Sequence, residues 1–141
     1  MKIILTIGLI SFFTACGQNS TTDKKETESK KKGMTREEYL DKNVFYGLTN
    51  LNNGFDAEGI KYFSEKDFEI VLDRVKTLGL GIKGIEPWKD GDYYGVEVYE
   101  DNTKDPTDSN WYLESFKRFR KTKDTLQYSA TYFIPDKLLR E

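Results

Sequence analysis

The stretch FSEKDFEIVLDRVKTLGLGIKGIEPWKDGDYYGVEVYE, residues 63–100, holds a helix start, a helix, two strands and the turn between them. Ser64 stands where an N-cap is needed, Asp67 answers from the capping-box position, and Phe63 and Phe68 are spaced as a hydrophobic staple. Phe68, Val71, Leu72, Val75 and Leu78 then recur at helical spacing, which predicts one apolar stripe turned towards a core. Gly79 is the expected C-cap. Past it the pattern shortens. LGIKGIEPW, residues 80–88, is rich in Ile and Gly and has the length of a strand. Pro87 has no N–H for a ladder, so that strand is expected to end there or to lie on an edge. Lys89-Asp90-Gly91 signals a turn. From Tyr93 to Glu100 the alternation predicts Tyr94, Val96 and Val98 on one face, with Tyr93, Glu97 and Tyr99 on the other. The two strands are expected to pair as a hairpin.

Working outward, Met34-Thr35-Arg36-Glu37-Glu38 repeats the helix-start design, with Thr35 as cap, Glu38 as reciprocal partner and Met34 spaced to staple onto Tyr39. That helix should end near Asn43. Residues 44–63 show no readable period, and Asn52-Asn53-Gly54 marks a turn within them. On the other side, a polar loop (101–110) leads to a helix whose Trp111, Tyr112, Phe116 and Phe119 share a face. Lys117, Arg118, Arg120 and Lys121 crowd its C-terminal end, where the helix dipole favours cations. Leu126, Tyr128, Ala130, Tyr132 and Ile134 alternate with polar neighbours as a strand closed by Pro135. This order predicts one α+β domain over residues 34–141, a small antiparallel sheet with helices packed on one face.

The residues before it read differently. Lys2 precedes an apolar run, Ile3 to Phe13, that is too short for a membrane span of about 20 residues. It fits the h-region of a secretory signal, residues 1–15. The ending Phe13-Thr14-Ala15-Cys16 resembles the lipobox of bacterial lipoproteins, with Phe13 in the place of the usual leucine. The resemblance implies cleavage before Cys16, a diacylglyceryl group on its sulfur and a third acyl chain on its new amino group. The domain would then sit outside the cytoplasm, lipid-anchored to the cell membrane or the outer membrane. Each buried CH₂ contributes about 0.8 kcal/mol, and stable anchoring takes two or more chains. An ordinary signal peptide with a coincidental cysteine is the alternative. Gly17 to Gly33 lack any large apolar residue, so with Cys16 they read as a lipidated, disordered tether, 16–33. Its reach is roughly 20–25 Å.

Composition removes whole classes of chemistry. Cys16 is the only cysteine and the chain has no histidine. Disulfides, Cys/His zinc sites, Ser-His-Asp triads and Cys-His dyads are excluded, and neither metal nor cofactor is expected. Residues 34–141 carry 16 basic and 21 acidic side chains, a balance that argues against nucleic-acid binding. No Gly-rich phosphate loop or calcium-loop pattern is present. A carboxylate pair such as Glu86 with Asp90 or Asp92 acting on a glycan is the catalytic alternative, but no spacing singles one out. A non-enzymatic protein is expected.

One cluster invites a binding role. Glu86, Trp88, Asp90, Asp92, Tyr93, Glu97 and Tyr99 mix aromatic rings with carboxylates around the expected hairpin. Residues 84–114 hold nine acids against two bases, and 115–125 hold five bases against one acid. Tyr and Trp are enriched at interaction hot spots, and dense acidic charge steers a basic partner. Each tryptophan alone also fits a core position, and the acids also fit a solvated face. The same exposed rings would suit a glycan or small ligand by stacking.

Three segments, YFSEKDFEIVLDRVKTLGLGIKGIEPW (62–88), DPTDSNWYLESFKRF (105–119) and LQYSATYFIPDKLL (126–139), resemble small α+β immunity proteins of polymorphic or contact-dependent toxin systems. Gly-Ile-Glu-Pro-Trp is the most distinctive part. The resemblance implies an inhibitor that covers a protein toxin, and the lipid anchor places the encounter in the cell envelope.

Overall fold

A computed structural model describes residues 33–122 and 125–140. The signal, Cys16 and all of the tether before Gly33 lie outside the described residues. Helix α1 (Arg36–Asn43) starts with the expected capping box. Thr35 Oγ1 accepts the Glu38 N–H at 3.1 Å, and the Glu38 carboxylate accepts the Thr35 N–H at 2.7 Å. Strand β1 (Phe63–Ser64) runs directly into helix α2 (Glu65–Thr77), where Ser64 Oγ accepts the Asp67 N–H. Then come β2 (Gly81–Lys89), β3 (Asp92–Tyr93), β4 (Glu97–Val98), helix α3 (Ser109–Arg120) and β5 (Gln127–Phe133). The strands form one antiparallel sheet and the helices pack against it, an α+β fold. Among the described residues no helix is long and apolar enough to cross a membrane.

The core lies between the sheet and the pair α2–α3. Phe68, Val71, Leu72 and Val75 bury the stripe of α2, and Trp111, Tyr112, Ser115 and Phe116 bury that of α3. Three rings join the layers: Phe68 stacks on Tyr128 at 5.2 Å between centroids, and Phe116 meets both edge-on. Leu78 falls off the expected stripe, because it sits at the C-cap of α2 and is partly exposed. The helix ends one residue later in a Schellman turn. Gly79 has φ +65°, the Leu80 N–H returns to Val75 C=O at 2.9 Å, and the Gly79 N–H returns to Lys76 C=O.

The sheet overturns the expectation for Pro87. Strand β2 neither ends there nor lies on an edge; it is central, paired with β5 from Gly81↔Phe133 to Trp88↔Gln127. Its other side is shared by β4, near its start, and β3, at its end. In an antiparallel strand the N–H and C=O of one residue point to the same side. The Pro87 C=O accepts the Tyr94 N–H at 3.1 Å, so its missing donor also faces the β3 side. The ladder to β5 therefore loses nothing at Pro87.

The ladder to β5 shifts register between Ile82 and Gly84, and the opposite side of β2 shifts as well. Trp88↔Tyr93 and Lys89↔Asp92 share one register, while Gly84↔Val98 and Ile85↔Glu97 are displaced from it by one residue. The predicted single strand is thus interrupted over Tyr94 to Val96. A one-residue slip inverts which face a side chain occupies. Val98 shares a face with Tyr93, Trp88 and Gly84, whereas Glu97 turns to the helix side with Ile85. Tyr94 and Val96, expected against the helices, are 41% and 50% exposed. The Lys89-Asp90-Gly91 turn is as expected. Asp90 and Gly91 have φ of 52° and 86°, the two positive values of a two-residue type I′ hairpin loop.

Nothing lies within 4 Å of a Cβ added to Gly79, so Gly79→Ala tests backbone conformation alone. Urea unfolding should show a loss of about 1 kcal/mol, the cost of a left-handed L-residue.

Candidate functional site

The seven residues singled out from the sequence divide between the two faces of the sheet. Glu97 is on the helix side, where its carboxylate accepts the Ser115 hydroxyl at 2.7 Å and a bidentate pair of N–H groups from Arg118. Burial alone would raise its pKa. The bonds from Arg118 and Ser115 and the Arg118 charge together outweigh that and hold the carboxyl below its ordinary value. Tyr99 opens a 3-10 turn (Tyr99–Asp101) and packs against the core. Both are structural. The basic end of α3 is likewise engaged: besides Arg118 on Glu97, Arg120 pairs with Glu65 at 3.0 Å and Glu69 at 3.2 Å.

Glu86, Trp88 and Tyr93 stay together on the face turned away from α2 and α3, with Asp90 and Asp92 at the adjoining hairpin tip. They gain partners from the segment 50–62, which had no readable period. Asn52 organises it. Its Nδ2 donates to the carbonyls of Asp56, Ala57 and Ile60, and its Oδ1 accepts the N–H groups of Gly54 and Asp56. Asn50 Oδ1 accepts the N–H groups of Asn52 and Tyr62. The loop so tied carries Phe55 onto Tyr62 and Trp88, at 4.8 and 5.3 Å between ring centroids, and Trp88 meets Tyr93 edge-on at 6.1 Å. Those separations are ring-to-ring contact, so the cluster is a packed wall and not a cage around a ligand. The signal for it was NLNNGFD (50–56), Asn side chains that bond neighbouring backbone.

Tyr62 and Trp88 fix Glu86 in place. Trp88 Nε1 donates to Glu86 Oε1 at 2.5 Å, and the fully buried Tyr62 hydroxyl reaches the same oxygen at 3.3 Å and Asp56 Oδ2 at 2.7 Å. Burial first, then these two carboxylates, push the Tyr62 pKa well up, so Tyr62 acts only as a donor.

Beside this wall an open groove of about 570 Å³, bordered by α1, crosses the face of the sheet turned away from α2 and α3. α1 contributes Leu40, the segment after the loop contributes Ile60, and Val96 and Val98 come from beyond the bulge. Gly84 and Ser129 belong to its floor, and Glu86 is common to groove and wall. Four carboxylates (Glu37, Asp41, Glu86 and Glu100) and two ammonium groups (Lys61 and Lys83) line it. Lys61 is already paired with Asp41. None of the aliphatic lining was legible as a site. Among the described residues no group of acids, Cys or His is arranged to hold a metal.

Compared with known protein families, with curated proteins and with solved structures, the chain gives no match.

Two substitutions test this organisation. Asn52→Ala removes five hydrogen bonds and should destabilise by about 2 kcal/mol, with tryptophan emission shifting to the red as Phe55 leaves Trp88. Glu97 titrates lower folded than unfolded. It therefore contributes stability that is complete above the ordinary carboxylate range and lost as pH falls through its folded value. Urea midpoints measured from about pH 7 to about pH 3 should fall less steeply for Glu97→Gln than for the native chain.

Proposed function

We propose that this chain is a lipid-anchored, non-enzymatic binding protein of the cell envelope that neutralises a protein partner, as immunity proteins neutralise toxins. The face of the sheet turned away from α2 and α3 is its docking surface. The groove carries this reading. Leu40, Ile60, Val96 and Val98 give it an aliphatic lining, and Ile60, Val96 and Tyr93 remain 38%, 50% and 57% exposed. An exposed apolar groove with a charged border is the pattern of a protein-binding site. Aliphatic walls suit side chains better than sugars, which stack on open ring faces. Of the aromatic wall, only Tyr93 is largely exposed; Phe55 and Trp88 are half-buried and Tyr62 is covered.

The carboxylates support binding over catalysis. Glu86 accepts from two neutral donors and Glu97 from Arg118 and Ser115, so each is tied into the fold by its hydrogen bonds. The anchoring half of the proposal rests on the lipobox resemblance at Cys16. It puts the domain where a toxin acting on the envelope would be met.

The test is affinity isolation of the tagged lipoprotein from membranes of its source in mild detergent. One stoichiometric protein should be retained, and released as salt rises. Gly84→Leu should abolish capture, since a Cβ there meets Val98 and the Glu97 C=O at ordinary distances of 3.6 and 3.7 Å and a longer side chain would extend from the groove floor. Cys16→Ser should leave capture intact while freeing the mature protein from the membrane. Capture unaffected by Gly84→Leu would reject this docking surface, and retention of a glycan alone would reject a protein partner.

A further inference from the structure

The groove's chemistry says what kind of side chain the partner brings. Resting on the reading of the groove as the docking surface, we propose that it receives a lysine or arginine of the partner. That cation would seat on Glu86, its alkyl stem lying along Leu40, Ile60, Val96 and Val98.

Three observations converge on this occupant. The first is the unused half of the Glu86 carboxylate. Both of its hydrogen bonds, from Tyr62 and Trp88, fall on Oε1, and Oε2 has no partner among the described residues. Two neutral donors hold the group without neutralising it, and among the described residues no cation pairs with it. An oriented, uncompensated carboxylate with a free oxygen is a ready acceptor for a charged N–H.

The second is the charge balance. Lys61 is occupied by Asp41, and the Lys83 ammonium lies over the Phe133 ring at 6.0 Å from its centroid. With four carboxylates against two ammonium groups, the groove keeps a surplus of two negative charges. The third is the lining. A lysine or arginine stem is aliphatic and its head is charged, and such side chains cover apolar surface with the head kept at a polar group. A groove that is aliphatic along its length and anionic at Glu86 has that same order of chemistries. A neutral apolar residue would leave Oε2 without a donor; an acidic one would be repelled.

Two synthetic peptides decide the matter: acetyl-Ile-Lys-Val-Lys-Ile-amide, and the same peptide with norleucine for each lysine, which keeps the stem and drops the charge. Each is titrated into the ¹⁵N-labelled full chain in neutral detergent. The lysine peptide should shift the amides of Gly84, Val98 and Ser129, and the norleucine peptide should bind about tenfold more weakly. Glu86→Gln should abolish that difference. Glu37→Gln and Glu100→Gln, at exposed positions, should each reduce it by a smaller factor. Equal binding of both peptides would overturn the cation while leaving the groove as a docking surface. Failure of both peptides, with partner capture still sensitive to Gly84→Leu, would overturn it too. Loss of both peptide binding and capture would remove the docking surface itself.

Discussion

A proline in the central strand is the constraint from which the two faces of the sheet take their side chains. Strand β2 is the one on which the sheet is built, since β5, β3 and β4 all pair with it. Pro87 stands within it and has no N–H to donate. The vacancy faces away from β5, so the longer ladder loses no bond at Pro87 and the shorter side meets the defect. There the chain leaves β2 after Tyr93 and rejoins it at Glu97 one residue out of step. A buried unpaired carbonyl costs on the order of 1–3 kcal/mol. Tyr94 still donates its N–H to the Pro87 C=O, and its own C=O, which Pro87 cannot serve, lies where Tyr94 to Val96 meet solvent.

The slip has consequences on both faces at once. Glu97, turned inward, becomes the acceptor that ties Arg118 and Ser115 of α3 to the sheet. Val98, turned outward, comes within reach of Gly84 and forms a side of the groove. Had the strand continued in phase, Glu97 would lie beside Glu86 on the face turned away from α2 and α3, and Val98 would lie under α3. The tie from Glu97 to α3 and the Val98 side of the groove thus both follow from the one-residue slip.

That is also where the sequence stopped being legible. The helices were readable because their signals are local: a cap, a partner three residues on, and a stripe repeating at 3.6 residues. Thr35 with Glu38, Ser64 with Asp67, and the Phe68–Val75 stripe all stand as the pattern implies. The hairpin loop at Asp90-Gly91 was readable for the same reason. Alternation from Tyr93 to Glu100 was equally clear on its face, yet it assumed an unbroken strand. The break comes from a proline on the neighbouring strand, a non-local cause that no period can reveal. Segment 50–62 was opaque for a different reason. Its order comes from two asparagine side chains bonding backbone groups up to twelve residues away, as in Asn50 with Tyr62, and not from repeating burial. Of the candidate site, Glu86, Trp88 and Tyr93 were found because their chemistry is visible in one dimension. Leu40, Ile60 and Val98 were missed because ordinary aliphatic residues acquire meaning only when the fold leaves them uncovered.

Charge completes the division of labour between the faces. The basic cluster of α3 looks in sequence like a second interaction patch, but Arg118 and Arg120 are committed to Glu97, Glu65 and Glu69 within the domain. Exposed ion pairs of this kind add little stability each. What they do here is hold the guanidinium groups of α3 on acids of the domain itself. Among the described residues the groove has no such compensation beyond Lys61 and Lys83, and Glu86 is held by neutral donors that orient its charge without quenching it. A carboxylate fixed by tyrosine and tryptophan loses little conformational entropy when a partner arrives. That preorganisation separates a recognition group from a merely solvated one.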